Sequence, residues 1–367
     1  MKTIKLLIVL FYTVCFLAIQ DADAQSNKRI DSSILNDLTQ KIESGHYPNF
    51  HSVIILYQGN IIYEKYFMGK DNILGTQHAV VQHSATTLHD MRSISKSVVS
   101  TCIGIAIKEG YIKNEEQRIA EFFPDYKECL RGAKKDWIIK DFLTMSTGLK
   151  WNEDISYDNL KNSERQMGIS KDPIYYVFNQ PLEHPVGKVF NYNGGATQVL
   201  GELIERSSKL PFNVFVDKYL FKPLGIENFE WTPFMNTQTL SFCAGLRLTS
   251  RDLVKLALLY RNNGIWNNQK ILPEKWVNNS FSEHIEYPSE LLEGNEAYGF
   301  QFWIWQETIG KTNASFAAAM GNGDQNIYWD LNNDLILITT AGNYDIESIK
   351  NDSYAMLKNH IFKAIFN

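Results

Sequence analysis

Apolar positions Ile34, Leu35, Leu38 and Ile42 recur at helical spacing, and Gly45 ends the element they predict. The period then changes. A Val/Ile-rich run from His51 to Tyr57, the turn Gln58-Gly59-Asn60 and a second run from Ile61 to Phe67 read as an antiparallel hairpin. Residues 71–90 are polar and irregular. Val98, Val99, Cys102, Ile103, Ile105 and Ala106 are apolar on most sides of the next helix, which predicts burial, with Gly110 at its C-terminal end. Residues 138–145 form a short helical run closed by Thr147-Gly148, and residues 151–190 are polar, aromatic and loop-like. Val199, Leu200, Leu203 and Ile204 face inward from a helix over 197–205.

Thr249 or Ser250 caps a helix through Leu253, Leu256, Ala257 and Tyr260, ending at Gly264. Pro273 starts a short helix after a turn over 266–269. Residues 298–305 are strand-like, 325–329 and 335–340 make a second hairpin around Asn332-Asn333, and 346–366 is a C-terminal helix. Strands at both chain ends with helices between them predict an α/β fold of the α+β type. It is one antiparallel sheet assembled from both ends, with a mainly helical insertion. The junction of sheet and insertion is the natural place for a site.

Composition narrows the options. The chain has 367 residues, 44% hydrophobic and 13% aromatic, enough for a large core. A net charge of −5 and no Arg-rich run exclude nucleic acid as a partner. Lys2 and Lys5, an apolar run over 6–19 and Ala22-Asp23-Ala24 read as a secretory signal peptide over 1–24, cleaved before Gln25. The other reading is a retained anchor, for which the apolar run is short. The mature chain, with no membrane span, is then expected to be periplasmic or secreted. Its cysteines, Cys102, Cys129 and Cys243, are odd in number and far apart, so they are not a disulfide framework, although one bridge remains open. Cys102, inside the apolar helix, reads as a small buried hydrophobe. No Cys/His spacing points to zinc, and no metal or cofactor is implied.

Ser93-Ile94-Ser95-Lys96 stands at the mouth of that apolar helix. A serine and a lysine three residues apart share one helical face, which places an amine within reach of a hydroxyl. A serine becomes a nucleophile when an adjacent base accepts its proton, and burial lowers a lysine pKa toward that role. The helix N-terminus favours a developing oxyanion. The plainer reading makes Ser93 an N-cap and Lys96 a solvated helix lysine. A Ser-His-Asp triad is disfavoured, because no Gly-x-Ser-x-Gly elbow surrounds Ser93.

Two further segments join the first: Phe190-Asn191-Tyr192-Asn193-Gly194-Gly195 before a helix, and Ala319-Met320-Gly321-Asn322-Gly323-Asp324-Gln325 leading into a strand. With Lys140 to Leu149, Pro185 to Phe190, Ala244 to Leu253 and Tyr298-Gly299-Phe300, they make the chain resemble the serine β-lactamase and penicillin-binding-protein superfamily from about residue 50 onward. The resemblance is strongest to the branch of class C β-lactamases, D-alanyl carboxypeptidases, esterases and 6-aminohexanoate-dimer hydrolase. It implies one such domain over 25–367, with an α/β part about 25–93 and 235–367 and a helical part about 94–234.

The resemblance implies Ser93 as the acylated serine, Lys96 as the motif lysine and Tyr192 as the proton relay of Tyr-x-Asn. Nearby lysine cations are expected to ease loss of the Tyr192 proton. The N–H groups of Ser93 and Asn322 would hold the oxyanion, and Gly321 would let substrate approach the strand. Two departures matter. The motif asparagine is replaced by Gly194, with Asn193 one residue early, and Ala319-Met320-Gly321 stands where β-lactamases carry Lys-Thr-Gly. Both favour an esterase or linear amidase acting on a small or peptide-like amide or ester. Gln325 is either a substrate contact or an ordinary strand residue. The alternatives are a D-alanyl peptidase or β-lactamase, and a non-catalytic sensor of the same fold. Trp151, Tyr175, Tyr176, Trp231, Trp303 and Trp305 divide between cleft and core.

Overall fold

The computed structural model describes residues 30–73, 76–235, 237–287, 296–346 and 351–367, without the side chains of 72 and 73. The signal-peptide segment lies outside the described residues. The main sheet has eight strands, in the order Ile285–Tyr287, Glu296–Tyr298, Trp303–Ile309, Thr312–Gly321, Gln325–Asp330, Leu335–Ala341, Phe50–Tyr57 and Asn60–Tyr66. Every pairing is antiparallel. The sheet is closed by the earliest strand lying beside the latest, in register from Val53 opposite Thr339 to Tyr57 opposite Leu335. This is the α/β architecture expected from strands at both chain ends.

The central strands are apolar on both faces because both faces are covered. Val53, Ile55 and Leu337 pack with Leu35, Leu38 and Ile42 of helix Ser32–Glu43 and with Phe362 and Ile365 near the C-terminus. The alternate residues Ile54, Leu56, Ile336 and Ile338 pack with Val98, Val99 and Cys102 of helix Ile94–Lys108. That helix is buried continuously from Ile94 to Ala106, as its all-round apolarity predicts. Among the described residues no helix is long and apolar enough to cross a membrane. Cys102, Cys129 and Cys243 are all unbridged, and Cys102 and Cys243 are buried.

Three expectations are corrected. The stretch read as irregular contains a hairpin, Met68–Ile73 with Thr76–Gln82. Its second strand is exposed throughout, so it carries no apolar alternation to read. The stretch read as loop contains helices Ser163–Ile169 and Pro173–Asn179, capped by Asn162 and Asp172. Two turns are too short for a helical period to declare itself. The strand expected over 298–305 is two strands, separated where the Gly299 N–H turns back to the Phe302 carbonyl.

A small second sheet delivers the helix that begins after Ser93. Leu88–Asp90 pairs with Leu246–Thr249, which pairs with Glu230–Trp231. The Arg247 Nε donates to Asp90 Oδ1 at 2.8 Å, and both side chains are nearly buried. The Met91 N–H then donates to the Leu246 carbonyl at 2.9 Å, and the chain turns through Arg92 at φ 49° into Ser93. Arg247 is the closer of two cations on Asp90, Arg92 standing at 3.6 Å, so its removal leaves a buried charge only partly compensated. Arg247→Ala should therefore lose about 3–5 kcal/mol of unfolding free energy in urea. The more exposed pair Arg261–Asp334 provides the contrast, and Arg261→Ala should lose less than about 1 kcal/mol. Equal losses in the two variants would show that the Asp90–Arg247 junction does not hold this corner together.

Candidate active site

Ser93 directly precedes helix Ile94–Lys108, and its side chain makes no cap hydrogen bond. One turn along, the Lys96 Nζ lies 3.1 Å from Ser93 Oγ and donates at 3.1 Å to the Cys243 carbonyl. Lys96 is only 1% exposed, so the solvated-lysine reading fails. Its charge is met by the Glu164 carboxylate, whose Oε2 stands 3.5 Å from Nζ.

A second buried carboxylate, Glu153, backs the first. It accepts hydrogen bonds from the Trp151 indole, the Gly194 N–H and the Tyr157 hydroxyl. Burial, reinforced by the like charge of Glu164, pushes the Glu153 carboxyl up to about 8. Burial alone would depress Lys96, as the sequence led one to expect. The acidic groups around it outweigh burial and hold the ammonium well above the ordinary lysine range, the nearest of them being Glu164. Tyr192 departs from expectation in the same way. Burial raises its phenol, and the opposing pulls of the Lys96 charge and the Ser93 hydrogen bond do not reverse that. The resting cluster is thus an ammonium and a neutral phenol beside Glu164 and a Glu153 carboxyl with a raised affinity for a proton.

The phenol is held by position as well as charge. Tyr192 stacks on Trp303, centroids 5.6 Å apart at 21°, and Lys96 Nζ is 5.1 Å from the centre of its ring. Ser93 and Tyr192 open onto a cavity of about 530 Å³ whose wall also includes Trp303, Gly321 and Asn322. Gly321 ends the strand that runs closest to the serine turn; a Cβ there would lie 2.2 Å from the Met91 carbonyl oxygen. Asn322 is pinned through its side chain, which donates to Asp345 Oδ1 and accepts from the Asp345 N–H. Among the described residues no histidine lines the cavity.

Ser93, Lys96, Tyr192, Gly321 and Asn322 are thus brought together, and two expected residues are not at the cavity wall. Asn193 is fully buried and turned into the following helix, where its Oδ1 accepts from the Ala196 N–H. Gln325 is also fully buried, donating to the Gly323 and Ala341 carbonyls. Of the aromatic residues, Trp303 and Trp305 line the cavity. Trp151 and Trp231 belong to the core, Tyr176 packs against it, and Tyr175 is half exposed.

Glu153 and Glu164 were not anticipated from the sequence. The one sign of them was Gly194 in the asparagine position. A Cβ on Gly194 would lie 2.3 Å from Glu164 Oε2, so the carboxylate occupies the space that a side chain at that position would need.

Comparison with known proteins gives the family. Residues 51–357 match the Beta-lactamase family. Protein flp of Staphylococcus aureus (strain MW2) is 23% identical over 203 residues, 55% of this chain and 38% of that protein. The chain therefore spans well under two thirds of that relative's length. Among solved structures, a "Putative 6-aminohexanoate-dimer hydrolase from Bacillus anthracis" is similar with a TM-score of 0.66 at 20% identity, covering 88% of this chain and 82% of that one. "EstCE1, a hydrolase with promiscuous acyltransferase activity" gives a TM-score of 0.70 at 14% identity, covering 91% and 97%. At such identities the structural likeness shows the fold alone. The family match spans most of the chain, and on that ground the protein belongs to the beta-lactamase family of serine-hydrolase fold.

Proposed function

We propose that the protein is an exported serine hydrolase that cleaves an ester or a linear amide through an acyl-serine intermediate. The observation that carries this reading is the Lys96 Nζ lying 3.1 Å from Ser93 Oγ at the edge of the cavity. The amine is already an ammonium, so it accepts the serine proton only as it passes one of its own to the Glu164–Glu153 pair. Ser93 Oγ then bonds to the substrate carbonyl carbon, and the oxyanion is held by the N–H groups of Ser93 and Asn322. The tetrahedral adduct collapses as the Tyr192 hydroxyl protonates the leaving nitrogen or oxygen. Tyr192 recovers its proton from Lys96, and Lys96 recovers its own from the carboxylates. Water repeats the cycle on the acyl ester, its proton ending on Ser93.

The choice of ester or linear amide rests on what the third segment lacks. Ala319 is a small apolar residue, 2% exposed, where a lysine would present a cation to a substrate carboxylate. The similar Bacillus anthracis protein is named as a 6-aminohexanoate-dimer hydrolase and EstCE1 as a hydrolase with acyltransferase activity, which supports this reading.

Purified protein would be tested on p-nitrophenyl acetate and butyrate, nitrocefin, a D-alanyl-D-alanine peptide and a linear aminohexanoate amide, with fluorophosphonate labelling alongside. Ser93→Ala should abolish both labelling and turnover; persistent labelling would remove Ser93 from its role. Lys96→Ala should lower kcat by on the order of 10³-fold or more, because a nucleophile and its activating group act as a unit. Labelling of Ser93 with no turnover of any substrate would favour a sensor that acylates and stops.

The Glu153 carboxyl makes a pH prediction. Its pKa is about 8 in the folded protein against an ordinary 4.5, so between those values the folded state binds more protons than the unfolded state. Stability from this group therefore falls as pH rises from about 4.5 to 8. Glu153→Gln removes the ionisation, so its melting temperature should gain on the parent's between pH 5 and 9. A constant difference would mean that Glu153 is ionised throughout.

A further inference from the structure

Away from the cavity, three histidines from three segments meet in the interior. His51 lies on strand Phe50–Tyr57, His83 follows strand Thr76–Gln82, and His89 lies on Leu88–Asp90. All are essentially buried, at 0%, 2% and 1% exposure. Each offers one ring nitrogen, and the three nitrogens lie within 4.8 Å of one another.

The hydrogen bonds fix which nitrogens are free. His51 Nε2 lies 2.9 Å from the Lys70 carbonyl oxygen, and His83 Nε2 lies 3.3 Å from that of Gly69. A carbonyl only accepts, so both Nε2 atoms carry the proton and both Nδ1 atoms present a lone pair. His51 Nδ1 is 3.2 Å from His89 Nδ1, and His83 Nδ1 is buried without a hydrogen-bond partner. A hydrogen bond from His89 to His51 accounts for one contact and leaves His83 Nδ1 stranded, at a cost of about 1–3 kcal/mol.

We propose that His51, His83 and His89 form a structural binding site for a divalent transition-metal ion of the zinc class. At Zn–N distances of about 2.0–2.1 Å, a tetrahedral ion sets its nitrogens about 3.3 Å apart, close to the 3.2 Å between His51 and His89; His83, stacked on His51 at 3.6 Å and 14°, swings its ring out of that stack to turn Nδ1 to the ion. Ring N–H groups bonded to backbone carbonyls are the usual outer support of metal-ligating imidazoles. Imidazole nitrogens without thiolates suit zinc, nickel and copper. Water completes the coordination. The ion would tie the exposed hairpin to strand Phe50–Tyr57 of the main sheet and to the strand that ends just before the Ser93 turn.

Titrating the full chain with Co²⁺ alone tests the site, because tetrahedral Co²⁺ has intense visible bands. The expected result is a band that saturates at one equivalent, is displaced by Zn²⁺, and is lost in His83→Phe. That substitution keeps a ring stacked on His51 (centroids now 3.6 Å apart) and removes only the nitrogens. It also separates the two explanations of the stranded atom. With a metal site, zinc raises the melting temperature of the parent and leaves that of His83→Phe unchanged. With no metal site, zinc moves neither, and His83→Phe melts at or above the parent. No band in the parent, or a band of equal strength in His83→Phe, overturns the proposal.

Discussion

An ammonium group buried to the last per cent inside an apolar helix sets the terms for the surrounding structure. Lys96 cannot sit there as a cation without compensation. The compensation comes from Glu164 at 3.5 Å, from the carbonyl of Cys243 and from Glu153 behind them. Two carboxylates in one dry space repel each other, so Glu153 is raised and needs donors of its own from Trp151, Tyr157 and the start of helix Gly194–Ser208. Four segments of chain are drawn together by one charge. The same charge stands beside Ser93 Oγ, so the cost of burying it and the capacity to move a proton reside in one cluster.

The second constraint is mechanical. Ser93 must face the end of strand Thr312–Gly321 while belonging to a helix that packs under that strand and its neighbours in the sheet. Closing the sheet with the first strand against the last brings the two together, and the Asp90–Arg247 pair fixes the turn between them. The approach at Gly321, where the Met91 carbonyl excludes any side chain, shows how closely the strand end and the serine turn are set.

Much of this was legible in the sequence, for identifiable reasons. The sheet could be read because Val53 to Leu56 and Leu335 to Ile338 are apolar without interruption, as strands covered on both faces are. Ser93, Lys96 and Tyr192 could be read because their spacing is local or belongs to a short motif. The hairpin Met68–Ile73 with Thr76–Gln82 could not, because its second strand is exposed on both faces. Glu153 and Glu164 were hidden because what makes them special is their mutual burial, which no local pattern records. The directions expected for Lys96 and Tyr192 failed on the same ground: each depended on neighbours from other segments. Asn193 and Gln325 carry motif-like neighbours, yet Asn193 Oδ1 and the Gln325 amide are bonded to backbone groups, and Asn193 Nδ2 is buried without a partner.

Gly194 and Glu164 hold a mutual exclusion that reaches beyond chemistry. The space one would need for an asparagine side chain is the space the other's carboxylate fills. Installing the asparagine first meets an occupied site; withdrawing the carboxylate first strands the Lys96 cation in the interior. A lineage moving between the two arrangements would cross a fitness valley unless both positions changed together. In this chain the two positions are therefore coupled: a change at one without the other meets either a steric clash or a less compensated cation.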